Sequence, residues 1–170
     1  MRDCPIVGRG DSAGEGEVTH HGGRTYSRPM ALSHDEREAF LAEPHVAALG
    51  VANGDARGPM LVPIWYAYER GGLPWVLTGA DSWKLRLIKA TGRFSLLVQR
   101  TEPTPRYVCV EGPVAEMTEG TAALHREMAA RYMSGEALDQ FVAFAEAELA
   151  DHVVVRMQPE HWLGTDLGRD

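Results

Sequence analysis

Residues 73–84, L-P-W-V-L-T-G-A-D-S-W-K, restrict the possible folds more than any other part of this chain. Trp75, Val76 and Leu77 read as a short apolar strand, Thr78-Gly79-Ala80 turns the chain, and Asp81 or Ser82 can cap the helix that follows. A strand handed so abruptly to a helix start leaves backbone N–H groups, the hydroxyls of Thr78 and Ser82, and the ammonium of Lys84 in one small volume. Phosphate suits such a volume, because the unpaired N–H groups and the ammonium both carry positive charge. Thr, Gly and Ser are equally ordinary turn residues, so the weight of the motif depends on its surroundings.

Those surroundings read as short strands separated by turns. Ser33 and Glu36 have the spacing of a capping box, Phe40 and Leu41 give a short helix its apolar face, and Pro44 stops it. Residues 45–53 are apolar on both sides, as a buried strand would be, and Asn53-Gly54-Asp55 signals a turn. Residues 60–69 read as a second strand. Pro63 lies inside it and has no N–H to give, which requires an edge, a bulge, or a place where a ligand replaces a neighbouring strand. Gly71-Gly72 then turns the chain into the opening stretch, so two consecutive hairpins are expected.

The helix over 81–91 directs Leu85, Leu87 and Ile88 to a core and leaves Lys84, Arg86 and Lys89 more exposed, with Gly92 as its C-terminal cap. Two further strands, 94–99 and 106–117, are joined through Pro103 and Pro105. Gly112-Pro113 predicts a bulge or a corner in the second of them. Helices are expected over 120–133 and 136–149, split at Ser134-Gly135, then a last strand over 152–157 and a tail from Gln158. About six strands with one helix in mid-sheet predict a mainly β protein, a small antiparallel barrel with flanking helices.

Residues 1–29 are rich in glycine and carry no apolar period, which predicts a flexible N-terminal extension. Residues 30–170 then form one domain, with a helical insert at 120–149. His20 and His21 lie in the extension without a third ligand at fixed spacing, so a solvated pair is expected. A net charge of −7, with no cluster of Lys and Arg, argues against a nucleic-acid partner. Cys4 and Cys109 have no metal or redox spacing, which suits a reduced, cytoplasmic protein. No apolar run approaches the roughly 18 residues of a membrane span.

In this order the residues resemble the pyridoxamine 5′-phosphate oxidase-like group, flavin and deazaflavin reductases with a split-barrel fold. The resemblance covers residues 32–166 and rests on four motifs: L-x-x-x-E-R-E-A-F-L-A-E-P-H-V-A-A-L from Leu32, V-P-I-W-Y from Val62, T-G-A-D-S-W-K from Thr78, and Y-V-C-V-E-G-P-V-A-E from Tyr107. It implies a six-stranded antiparallel split β-barrel and a homodimer with cofactor in two symmetric grooves at the interface. Thr78, Ser82 and Lys84, with Gly79 and Trp83 in the same loop, would hold the phosphate of FMN. The flavin ring would lie against Val62, Pro63, Ile64 and Trp65, with Gln99 either beside the cofactor or a solvated strand end. Trp65 and Tyr66 either stack on a ring system or pack within the protein.

One position departs from the family pattern. Many members carry arginine where this chain has Trp83, and indole offers no charge; Arg86, one helical turn from Ser82, is the candidate replacement. The cofactor expected is FMN, with the deazaflavin coenzyme F-420 as alternative and haem behind both. The longer acidic tail of F-420 would need Lys84, Arg86, Lys89 and Arg93 along its groove. No catalytic triad or paired carboxylates stand out, and His45, His125, His152 and His161 read as structural or exposed. The implied activity is hydride transfer between the cofactor and a small organic molecule. A non-enzymatic binder that sequesters flavin, deazaflavin or haem is the rival. The acceptor pocket would draw on residues 158–168 and on the insert, which could equally be a lid or extra dimer surface.

Overall fold

The structure, a computed structural model, describes residues 30–149 and 151–168. The predicted extension, with Cys4, His20 and His21, lies outside them. The chain runs β1 (Met30–Ala31), α1 (His34–Leu41), β2 (Ala47–Val51), β3 (Met60–Ile64), β4 (Tyr66–Ala67), β5 (Trp75–Gly79), α2 (Trp83–Thr91), β6 (Arg93–Arg100) and β7 (Arg106–Glu119). It closes with α3 (Ala122–Ala130), α4 (Gly135–Glu148), β8 (His152–Met157) and β9 (His161–Asp166).

The strand order β3-β2-β6-β7-β8-β5-β4 puts β3 and β4 at opposite ends of one antiparallel sheet, yet only Trp65 separates them in the chain. The sheet must therefore curl until its two ends nearly meet, which makes it a split barrel. Both expected hairpins are present: β2 pairs with β3, and β4 with β5. Pro63 lies on the end strand β3, opposite Ala48, where its missing N–H costs no ladder bond on the open side.

The long strand β7 makes the corner. Its first half lies between β6 and β9, and its second half pairs with β8. The register shifts between Val114 and Glu116, just past the Gly112-Pro113 pair. A β-carbon on Gly112 would come within 1.8 Å of the Gln158 carbonyl oxygen, so only glycine lets the returning chain pass there.

Three expectations change. The sheet has nine strands rather than six. The single strand expected over 60–69 breaks at Trp65, where the chain leaves one end of the sheet for the other. The tail after Gln158 is also a strand, β9, paired with β1 and β7. Its inward positions are Trp162, Gly164 and Asp166, so no apolar alternation marked it.

The helices end where the local chemistry dictates. Ser33 and Glu36 form the expected capping box on α1. Ser82 rather than Asp81 caps α2, and Gly92 closes it in the left-handed region at φ 68°. Leu85, Leu87 and Ile88 are buried in the barrel core with Phe40, Leu49, Tyr66 and Val110. The insert helices build a second apolar cluster outside the barrel, in which Met128, Leu124 and Tyr132 pack on Ala67, Trp75, Val154 and Trp65. Among the described residues no helix is long and apolar enough to cross a membrane.

Candidate functional site

The turn from β5 into α2 brings its two hydroxyls together. Thr78 Oγ1 and Ser82 Oγ are 2.9 Å apart, and Ser82 Oγ also accepts the Leu85 N–H at 3.2 Å. The Ser82 N–H donates back to the Gly79 carbonyl at 3.0 Å, which tightens the turn. Thr78 is buried at 2% exposure. One hydroxyl proton is thus spent between the pair, and the other remains free to donate outward.

This turn opens on a cavity of about 280 Å³. Thr78, Gly79 and Lys84 form one wall, and Pro63, Ile64 and Trp65 at the end of β3 form another. The insert closes the far side with His125, Met128 and Phe141. No carboxylate lines the cavity among the described residues. Its charge is therefore set by the Lys84 ammonium and by whatever protons the histidines hold.

A second, more apolar groove of about 350 Å³ lies beside it, along β3, β2 and β6. Val62, Ala48, Leu97 and Gln99 line it, and Pro63 belongs to both spaces. Leu61 and Val46, also in this groove, are 67% and 55% exposed. An apolar rim left so open on the end of a sheet is unusual for a protein without a partner surface.

The residues singled out from sequence divide between these two spaces. Pro63, Ile64, Trp65, Thr78, Gly79 and Lys84 line the cavity, Val62 and Gln99 line the groove, and Ser82 stands behind Thr78. Trp83 lines neither space and is 49% exposed. The expected replacement cation does not line the cavity: Arg86 donates to the Asp81 carbonyl of the turn at 2.6 Å and lies 5.2 Å from the centre of the Trp83 ring. Residues 158–168 line neither space, because β9 is drawn into the sheet between β1 and β7.

Of the aromatic pair, Tyr66 is fully buried and its hydroxyl donates toward the carbonyls of Leu41 and Glu43, so burial pushes its pKa well above that of a free phenol. Trp65 points the other way and stacks on Tyr132 of the insert. Tyr66 is therefore committed to packing within the chain, while Trp65 packs on the insert and also lines the cavity.

Sequence reasoning missed two cavity residues, His125 and His152. They come from the insert and from β8, far apart in the chain, and their rings meet with centroids 5.1 Å apart. Burial lowers the pKa of His125, against the pull of the Leu149 carbonyl. Burial lowers that of His152 too, joined by the charges of His125 and Lys84 and opposed by Asp151. The only available signal was His152 at the start of a strand facing Gly79 in the register.

Comparison with known proteins agrees with this fold. The F-420 reductase fold is similar at a TM-score of 0.61, with 24% identity over 74% of this chain and 94% of that one. A conserved hypothetical protein from Mycobacterium tuberculosis has a TM-score of 0.62 and 27% identity, over 79% and 85% of the two chains. An FAD-binding protein from Mesorhizobium loti has a TM-score of 0.55 and 21% identity, over 81% and 97%. Among curated proteins none matches significantly. The profile of the pyridoxamine 5′-phosphate oxidase family matches residues 33–166, from the cap of α1 to the last residue of β9. With a curled antiparallel sheet, the hydroxyl-lined turn after β5 and a family match over most of its length, this chain belongs to the pyridoxamine 5′-phosphate oxidase family.

Proposed function

We propose that the protein binds a flavin-type cofactor, FMN in particular, and transfers hydride between it and a small organic molecule. The observation that carries this reading is the meeting of two spaces at Pro63: an apolar groove across β3, β2 and β6, and a cavity with Thr78 and Lys84 in its wall. A planar apolar body with a phosphate on a flexible arm matches that pair of environments; the groove is of the size that ligand sites occupy and the cavity falls just short of it. When bound, the isoalloxazine supplies the redox chemistry.

The chain's own part is to hold and orient. Lys84 provides a fixed positive charge, and the Thr78–Ser82 hydroxyl pair a donor, where the phosphate would rest. Val62 and Pro63 give the groove an apolar wall, and Gln99 offers an amide at its end. A second copy of the chain laid over Val46, Leu61 and Leu97 would exclude water from the groove, and we propose that the working form is such a homodimer.

FMN is favoured over F-420 because two of the cations the longer acidic tail would need are committed elsewhere. Arg93 lies 3.3 Å from Glu160 and 3.7 Å from Glu111, and Arg86 is held by Asp81 and Trp83. Haem falls behind because, among the described residues, no His, Cys, Met or Tyr lines the groove itself, and His125, His152 and Met128 line only the adjoining cavity beside Lys84. A free, half-buried Cys109 is in keeping with a reducing, cytoplasmic setting. The test is reconstitution with FMN, F-420 and haem in parallel. At a hundredfold excess over Kd, FMN should stabilise the fold by about 2.7 kcal/mol, a rise of roughly 5–10 °C in Tm. If FMN binds but no donor and acceptor pair turns it over, the protein is a flavin carrier rather than an oxidoreductase.

A further inference from the structure

His125 and His152 occupy the cavity, yet holding a phosphate through Thr78, Ser82 and Lys84 makes no use of them. His125 is only 4% exposed. Nε2 of His125 and Nδ1 of His152 are buried and have no hydrogen-bond partner. Buried polar atoms without partners are uncommon in folded proteins and call for an explanation such as strain, a catalytic role, or a bound water or ion. The two rings meet in the wall of one small space, with centroids 5.1 Å apart, beside Lys84.

The chemistry of the set points to an anion. No group of three His, Cys, Asp or Glu side chains able to hold a metal exists among the described residues, and the nearby ammonium would repel a cation. The charged and titratable groups around the rings are Lys84 from α2, the two imidazoles themselves, and Asp151 at the start of β8. Lys84 and the neighbouring ring disfavour a proton on His152, and Asp151 favours one. An entering dianion would add its weight to the side of Asp151.

We infer that His125 and His152 are further phosphate donors, and that the pair takes up a proton as the phosphate dianion enters beside Lys84. This rests on the reading above, that an anion occupies the turn after β5. It also answers the departure at position 83: the charge that Trp83 lacks comes from the insert and β8 across the cavity, while Arg86 is bonded to the Asp81 carbonyl and does not line the cavity. The helical insert then acts as a cover that carries part of the binding site.

The consequence is a coupling between pH and affinity. In the empty cavity burial keeps the imidazoles neutral near neutrality, and each proton acquired on binding makes affinity fall as pH rises, by up to about tenfold per unit for one proton. The phosphate's own second ionisation, near pH 6, stays out of the way if the comparison is made above about pH 6.5.

The experiment is a titration of the full chain with FMN, riboflavin and phenyl phosphate at pH 6.5, 7.5 and 8.5, on the wild type, His125→Gln and His152→Gln. Histidine ring NMR is followed in the wild type, so that the result does not depend on the variants folding. The expected result is FMN affinity that falls with rising pH in the wild type, a weaker and flatter profile in either variant, no such trend for riboflavin, and an upward pKa shift of at least one imidazole on ligand binding. FMN bound equally by all three proteins, with unmoved histidine resonances, would overturn the inference and leave the flavin reading standing. Phenyl phosphate moving the histidine resonances while FMN fails to bind would support the inference and defeat the flavin reading. No response to any of the three would defeat both.

Discussion

The indole of Trp65 and the phenol of Tyr132 stack with ring centroids 4.8 Å apart and planes only 11° from parallel. Trp65 is the one residue between β3 and β4, the point where the curled sheet changes ends. Tyr132 follows α3, so the stack fastens the insert to the gap in the barrel. Phe141 of α4 adds a third ring, 5.4 Å from the indole. The cavity below therefore has a roof tied to the sheet that forms its floor.

The Tyr132 hydroxyl also covers a strand edge. It accepts the Tyr66 N–H at 3.0 Å and lies within donating distance of the carbonyls of Tyr66, at 2.7 Å, and His45, at 3.0 Å. Tyr132→Phe keeps the stack and strips these bonds, leaving backbone groups of β4 unpaired. The expected loss is about 1–3 kcal/mol in urea unfolding. A variant as stable as the wild type would show that water replaces the hydroxyl at no cost.

Ser82 and Lys84 are separable by stability. Ser82→Ala removes the cap of α2 and the partner of Thr78, so it should lower stability by about 1 kcal/mol as well as weaken FMN binding. Lys84→Gln removes a charge that no carboxylate in the cavity balances, so the melting temperature should hold. FMN affinity should fall roughly tenfold to a hundredfold, the worth of one charge-assisted contact. Calorimetric melting and fluorescence titration of both variants distinguish the two effects.

Acid stability should depend on Asp166. This carboxylate is 1% exposed; burial raises its pKa, but Arg106, with Nε 2.9 Å away, the Gly168 N–H at 3.0 Å and Thr104 together hold it below the usual range. A folded pKa below the unfolded one means stability that is complete above about pH 4 and is lost as pH falls through the folded value. Asp166→Asn breaks a buried pair, should cost about 3–5 kcal/mol at neutral pH, and should flatten the acid limb of a stability–pH curve. An unchanged acid limb would assign that limb to other carboxylates.

Much of the fold was legible because its signals were local. The Ser33–Glu36 box, the glycines at 54 and 92, and the bend at Gly112-Pro113 each act within a few residues of themselves. The break at Trp65 was not legible, since V-P-I-W-Y reads as one apolar strand and only the closure of the sheet divides it. Strand β9 hid because its buried positions hold Gly164 and Asp166, whose reason for burial, Arg106, lies 60 residues away. The turn residues could be grouped from their spacing alone. His125 and His152 could not, because their approach depends on how the insert packs back over β8.

The groove beside β3 gives a direct prediction about assembly. Leu61 is 67% exposed at its rim, so Leu61→Glu should leave folding intact while placing a charge in the proposed subunit interface. Light scattering should show a wild-type dimer and a variant shifted toward monomer. A wild-type monomer at micromolar concentration would remove the second copy from the site.

The ratio of FMN to riboflavin affinity, measured by equilibrium titration on the wild type and on Lys84→Gln, tests the central claim most directly. The two ligands share the ring system and differ by the phosphate alone. The wild type should prefer FMN by roughly a hundredfold or more, and the substitution should remove most of that preference. Equal affinity for the two ligands in the wild type, or a preference that survives the loss of Lys84, would contradict it.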